Sequence, residues 1–148
     1  MSRVNQHMHR DTLVSEFATV FYGVFSAAQR NLSYVNGGHD PPLLLRDGRF
    51  RELDVGGMVI GVLADATFDE ETIELHSGDV LVFYTDGVID AMDFHGERFG
   101  RDRLRESILK YRDAEPATLA EQIKWDTRRF AGLAPQTDDI TIVVARVR

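Results

Sequence analysis

Cysteine is absent from this 148-residue chain, which excludes a disulfide framework, a thiolate zinc site and a cysteine nucleophile. Lysine is scarce as well. Arginine outnumbers it 15 to 2, a bias that says more about genome composition than about chemistry. Positive charge is in deficit overall: 24 acidic side chains leave a formal net charge of −7, which argues against unspecific binding to nucleic acid. No apolar run approaches the ~18–20 residues that a membrane-spanning helix needs. The opening residues Met1-Ser2-Arg3-Val4-Asn5-Gln6-His7 lack the apolar stretch of a signal peptide, so a cytoplasmic location is expected. Prolines number four, and there is no repeat, low-complexity tract or Pro/Gly/Ser linker to divide the chain. Residues 1–148 therefore read as one domain. What is present suits a soluble globular fold: 43% hydrophobic and 28% charged residues, in a chain long enough to bury a core without staples.

The patterning places strands early and helices late. Residues 3–10 read as the tail of a helix. Phe17–Phe25 is rich in β-branched and aromatic residues and reads as a strand, forming a hairpin with Leu32–Asn36. The Gly37-Gly38-His39-Asp40-Pro41-Pro42 segment cannot be regular structure. Asp47-Gly48 between Leu43–Arg46 and Arg49–Leu53 is a two-residue hairpin signal. Gly56–Val62 is ambiguous. Glu70–Leu75 alternates in part and reads as a strand. Val80–Tyr84 is an uninterrupted apolar run of the kind found in strands covered on both faces. Arg101–Arg112 puts Leu104, Ile108 and Tyr111 on one helical stripe, and Ala117–Ala131 does the same with Leu119, Ile123 and Phe130. Either Pro116 at the first turn or a Thr118–Glu121 capping box starts that second helix. Ile140–Val147 reads as a closing strand. Short antiparallel strands with two helices imply an α+β or layered β-sandwich architecture. Glycine-rich nucleotide-binding patterns are absent.

Three carboxylates stand out by position. Asp86 follows the apolar run ending at Tyr84, after Thr85, and precedes Gly87, whose missing side chain lets another group approach the backbone. Asp138 and Asp139 stand just ahead of the last strand, and two adjacent carboxylates gain from a cation between them. Any single aspartate in a loop is more often a turn former than a ligand, at odds of about two to one. Two acidic loops at one end of a sandwich lower those odds. All-oxygen donors select Mg²⁺ or Mn²⁺, and two such ions activate a water for in-line attack on phosphorus. His39, in the glycine–proline loop, is either a general acid or phosphate contact or a loop histidine bonded to nearby backbone; the second is the commoner case. His7, His9, His76 and His95 have no partner at metal-ligand spacing, and Ser77 and Ser107 show no His/Asp arrangement for a nucleophile.

Four segments in order carry a resemblance: Phe17-Ala-Thr-Val-Phe-Tyr-Gly-Val24, Leu32-Ser-Tyr-Val-Asn-Gly-Gly-His-Asp-Pro-Pro-Leu-Leu-Leu45, Gly78-Asp-Val-Leu-Val-Phe-Tyr-Thr-Asp-Gly-Val88 and Gln136-Thr-Asp-Asp-Ile-Thr-Ile-Val-Val144. Together with Phe94-His-Gly-Glu-Arg-Phe-Gly100 they resemble a bacterial metal-dependent (PPM, type 2C) serine/threonine phosphatase domain of the SpoIIE/RsbU kind. The resemblance covers essentially the whole chain. It implies an antiparallel β-sandwich flanked by helices, with a Mn²⁺ or Mg²⁺ site at one end. It also implies hydrolysis of phosphoserine or phosphothreonine on a regulatory partner such as an anti-anti-sigma (STAS) protein. Asp86 and Asp138 match metal-ligating aspartates, with Asp139 an alternative or supporting ligand. The family's Gly-Asp-Phe/Tyr-x-Asp-like motif, whose aspartate bridges the metals, has no counterpart. The resemblance is thus to the C-terminal portion of the domain, and it implies a two-metal centre incomplete within one chain and low activity of the chain alone. Smaller departures are Gly37 and Asp40, where alanine and asparagine are usual, and Ile89-Asp90, where Thr-Glu is usual. The competing expectation is a catalytically incompetent phosphatase fold serving as a regulatory or dimerisation module. A cupin-like binder, suggested by Ser77–Phe83, fails for want of His-x-His and a following glutamate. Strands left without neighbours would favour a homodimer through apolar residues such as Phe17, Val20, Tyr22 and Val24.

Overall fold

The Asp47-Gly48 dipeptide shows how local chemistry sets the architecture. In the computed structural model, which describes residues 1–12, 16–136 and 138–148, both residues adopt positive φ, 49° and 75°. Two consecutive left-handed residues make the tight turn whose twist matches paired strands. The turn joins β3 (Leu43–Arg46) to β4 (Arg49–Glu52). The remaining elements are α1 (Ser2–Asp11), β1 (Val20–Ser26), β2 (Asn31–Gly37), β5 (Gly56–Gly57), β6 (Glu71–Glu74), β7 (Val80–Tyr84), α2 (Asp86–Ile89), α3 (Gly100–Lys110), α4 (Pro116–Ala131) and β8 (Ile142–Arg146). The α+β class read from the sequence is thus the observed one.

The chain folds as two compact units. The first comprises Met1–Pro41 and Glu52–Ser77. Its sheet places β2 between β1 and β6, both antiparallel to it, while β5 adds a short parallel pairing to β2. The ambiguous Gly56 has a steric reason: a side chain there would overlap the Asn36 backbone. Asn36 is buried and uses its amide to bind the His39 carbonyl oxygen at 2.9 Å, while its Oδ1 accepts from the His39 N–H at 2.8 Å. That reciprocal pair closes the glycine–proline loop. Helix α1 is anchored by buried Asn5, which donates to the Leu63 carbonyl at 2.7 Å and accepts from Gly61 N–H at 2.9 Å. A buried amide must be satisfied in this way or cost about 1–3 kcal/mol.

The second unit comprises Pro42–Arg51 and Gly78–Arg148. Its sheet runs β4-β3-β7-β8, so the apolar run Val80–Tyr84 is an interior strand with four of five residues buried. Leu45 pairs with Val80 on one side and Arg146 with Val80 on the other. Leu104, Ile108, Leu119 and Ile123, the stripes expected of the two late helices, are fully buried in the same cluster as Leu43, Val80, Val82 and Tyr84. Each such side chain contributes about 1.5–3 kcal/mol through burial. Pro116 occupies the first turn of α4 and no side-chain cap forms, which decides against the Thr118–Glu121 box; Gly132 caps the other end at φ 60°. Buried Asp79 makes a two-pronged ion pair with Arg46, Nε–Oδ1 2.8 Å and Nη2–Oδ2 2.6 Å, tying the entrance of β7 to β3. Two strands are shorter than their sequence patterns suggest. β1 begins at Val20, with Ala18 in an isolated bridge to Ile60. β8 begins at Ile142, because Asp139 and Thr141 are engaged by the turn after β7.

Candidate metal centre

The turn that leaves β7 and the turn that enters β8 are held against each other by main-chain and hydroxyl bonds. Thr85 N–H donates to the Thr141 carbonyl at 3.1 Å. The Thr85 hydroxyl donates to the Asp139 carbonyl at 2.9 Å and accepts from the Thr141 N–H at 3.0 Å. Gly87 is buried beneath this crossing. A side chain there would collide with the Asp139 carbonyl and lie 3.3 Å from that of Asp138. The close approach that glycine allows is therefore used by the backbone of the acidic pair.

This crossing positions the three candidate carboxylates. Asp86 opens the one-turn helix α2, is solvent-exposed, and accepts from the Gly87 N–H at 3.0 Å. Asp138 is exposed and its Oδ1 accepts from the Asp139 N–H at 2.7 Å. Gln136 Nε2 donates to the Asp138 carbonyl at 2.7 Å, bracing the turn from the other side. Thr137, part of the same sequence motif, lies outside the described residues. The Asp86 and Asp138–Asp139 segments thus come to one end of one sheet. Asp86 and Asp138 each keep one oxygen on a neighbouring N–H, leaving the other oxygen of each for a cation.

The donor chemistry is all oxygen and suits Mg²⁺ or Mn²⁺. It is also short of a full set. Among the described residues, no group of three or more His, Asp or Glu side chains is placed to hold a metal. The residues present therefore fit part of a divalent-metal site.

A cleft of about 300 Å³ lies beside the crossing, bordered by Gly87, Met92, Arg128, Pro135, Gln136 and Ile140 among others. Neither Asp86 nor Asp138 lines it. His39 belongs to the first unit, where its Nδ1 lies 3.1 Å from the Thr19 hydroxyl and its backbone is clamped by Asn36. Ser107 donates to Asp126 at 2.9 Å, a bond between α3 and α4 with no histidine in it. Thr85 and Gln136 are the positioning residues that sequence reasoning missed. The available signal was a hydroxyl directly before Asp86 and an amide two residues before Asp138.

Comparison with solved structures places the fold among the PP2C-type phosphatase domains. The SiaA-PP2C domain of Pseudomonas aeruginosa superimposes with a TM-score of 0.83 at 24% identity, over 97% of this chain and 58% of that one. The Mn-presoaked phosphatase domain of the cell fate determinant SpoIIE from Bacillus subtilis gives 0.67 at 15% identity, over 88% of this chain and 56% of that one. The family model described as Stage II sporulation protein E (SpoIIE) matches residues 1–148, and the chain belongs to that family. Protein IcfG of Synechocystis sp. is 36% identical over 128 residues, 86% of this chain and 20% of that protein. The phosphoserine phosphatase RsbU of Bacillus subtilis is 26% identical over 148 residues, 99% of this chain and 44% of RsbU. The chain thus spans less than half the length of these relatives.

Proposed function

We propose that the chain carries part of a metal-dependent phosphoserine/phosphothreonine phosphatase site, with Asp86 and Asp138 as ligands and Asp139 as a supporting or alternative one. The observation that carries the reading is the crossing at Thr85 and Gly87, which brings the two acidic turns together at the end of an interior strand. Membership of the SpoIIE family and likeness to RsbU and RsbP, both phosphoserine phosphatases, support it. The oxygen donor set and the Mn-presoaked relative favour Mn²⁺ or Mg²⁺. When bound, a pair of such ions polarises the phosphoryl group and lowers the pKa of an attacking water. The chain's own part is to hold the two carboxylates in fixed register and to keep Asp139 committed through its carbonyl to Thr85. The substrate class that fits the family is a phosphorylated regulatory protein such as an anti-anti-sigma (STAS) protein, within sigma-factor control in the cytoplasm. Among the described residues, no helix is long and apolar enough to cross a membrane. His39 and Gly87 complete the candidate set, the first as a phosphate contact and the second as the glycine on which the crossing rests.

A second reading is favoured by one observation, the lack of a third ligating side chain beside the acidic turns among the described residues. In that reading the fold is a catalytically incompetent regulatory module. Phosphate release from a phosphoserine protein, measured with and without Mn²⁺, separates the two. The phosphatase reading expects slow metal-dependent release that Asp86→Ala abolishes. Robust release surviving Asp86→Ala overturns the site assignment, and a complete lack of metal-dependent release favours the module.

A further inference from the structure

The cleft beside the crossing holds a cation that the acidic turns do not account for. Ala91, Met92, Pro135 and Ile140 give it apolar walls, and Arg128 is the one charged side chain lining it among the described residues. Arg128 is exposed, and among the described residues its guanidinium has neither an ion pair nor a hydrogen bond. Arg46, Arg98 and Arg103 are each held by a carboxylate instead. Trp125 stands one turn ahead of Arg128 on the same face of α4 and is 62% exposed. Tryptophan and arginine are among the side chains most often found as anchors at binding surfaces. The cleft volume of about 300 Å³ is at the lower end for small-molecule sites, room for one or two side chains and too little for a large cofactor.

We propose that this cleft selects the phosphoprotein through the residues flanking its phosphorylated side chain, taking an apolar side chain into the cleft and an acidic one onto Arg128, with Trp125 covering the segment from α4. The inference rests on the phosphatase reading and adds to it the local sequence of the substrate. The cleft adjoins the acidic turns: Gly87, in its wall, directly follows Asp86, and Gln136, also in its wall, donates to the Asp138 carbonyl at 2.7 Å. A chain that presents phosphoserine to those turns carries its neighbours at about 3.3 Å per residue, so a side chain a few places away reaches the cleft. Charge then chooses among the neighbours. The chain as a whole repels acidic segments, with a net charge of −7, whereas Lys124, Arg128 and Arg129 are exposed along the C-terminal half of α4. A carboxylate gains at Arg128 what a basic side chain loses there.

Arg128 and Arg129 both lie in the last turn of α4, where cations suit the helix dipole. Of the two, only Arg128 lines the cleft. Arg129→Glu therefore makes the same change in charge and at the dipole without altering the cleft wall, which makes it the control for Arg128→Glu.

The test is an amide chemical-shift titration of the chain with two synthetic peptides, Gly-Leu-Glu-Ser-Glu-Leu-Gly and Gly-Leu-Lys-Ser-Lys-Leu-Gly. Salt at about 0.15 M screens the acidic turns beyond about 8 Å. The serine is unphosphorylated, so binding is read without metal and without turnover. The glutamate peptide is expected to shift Met92, Arg128 and Gly132 with a dissociation constant on the order of 1 mM, and the lysine peptide to bind about fivefold more weakly. Arg128→Glu should reverse that preference, Arg129→Glu should keep it, and Trp125→Ala should weaken the glutamate peptide several-fold, all with unchanged circular dichroism spectra. Equal binding of the two peptides overturns the proposal. So do shifts centred away from the cleft, no shift at about 5 mM peptide, or a preference that Arg129→Glu reverses as readily as Arg128→Glu. Metal-dependent phosphate release without a peptide preference sinks this inference alone, and a preference without any phosphate release sinks the phosphatase reading alone.

Discussion

The hydroxyl of Thr85 and the carbonyl of Asp139 lie 2.9 Å apart, and this one bond spans the two acidic turns of the candidate site. The same hydroxyl accepts from Thr141 N–H, so Thr85 serves as donor and acceptor at once. Thr85→Val keeps the shape and removes both roles. It should lower stability by about 1–2 kcal/mol, a fall in Tm of about 3–6 °C for a chain of this size, and speed amide exchange at Thr141. Thr85→Ser should restore both. Equal exchange rates in the valine and serine variants would show that the hydroxyl holds nothing.

Asp86 and Asp138 are exposed, so their neutral isosteres should leave the fold intact. Asp86→Asn and Asp138→Asn are each expected to weaken Mn²⁺ binding several-fold, by calorimetry or by paramagnetic broadening of nearby amides, with Tm changed by less than about 2 °C. Broadening that stays centred on Asp86 and Asp138 in both variants would remove them as ligands.

Gly87→Ala tests the crossing from the other side. The added methyl meets the Asp139 carbonyl, and overpacking of this kind costs about 1–3 kcal/mol. The displaced backbone carries Asp138 with it, so Mn²⁺ affinity should fall together with stability, as urea denaturation and calorimetry on the same sample would report.

Asp79 is buried and paired with Arg46, whose side chain is about one-third exposed. Arg46→Met leaves a carboxylate without its guanidinium in the sheet entrance. A loss of about 2–3 kcal/mol is expected, somewhat below the value for a fully buried pair because water reaches the arginine. The midpoint of chemical denaturation measures it, and Asp79→Asn added to Arg46→Met should recover part of the loss.

The order in which these features could be read from the sequence follows their physical range. Val80–Tyr84, the stripes Leu104/Ile108 and Leu119/Ile123, and the Asp47-Gly48 turn depend on local spacing and backbone preference, and each is found where its pattern puts it. Asp86, Asp138 and Asp139 were legible as candidates because they border apolar runs. Thr85 was not, because its partners are 54 and 56 residues away and a threonine before a turn has many ordinary uses. The ion pair of Asp79 was hidden for the same reason: its guanidinium partner lies 33 residues upstream. The early starts drawn for β1 and β8 failed where β-propensity continued but pairing did not, a choice made by tertiary contacts.

The two compact units are not consecutive stretches of chain. The β3–β4 hairpin belongs to the second unit but is embedded between portions of the first, and the chain passes from one to the other near Pro41, Arg51 and Ser77. No single cut can release either unit whole. Strand β7 gains its second neighbour in the sheet only when β8 pairs with it, and the acidic turn is anchored by that same event. During synthesis the site is therefore assembled only after β8 has emerged, and a ribosome that stops before Asp138 leaves an interior strand bare on one side. Such a product has a hydrophobic edge and lacks the Asp138–Asp139 pair, the kind of chain that quality control removes.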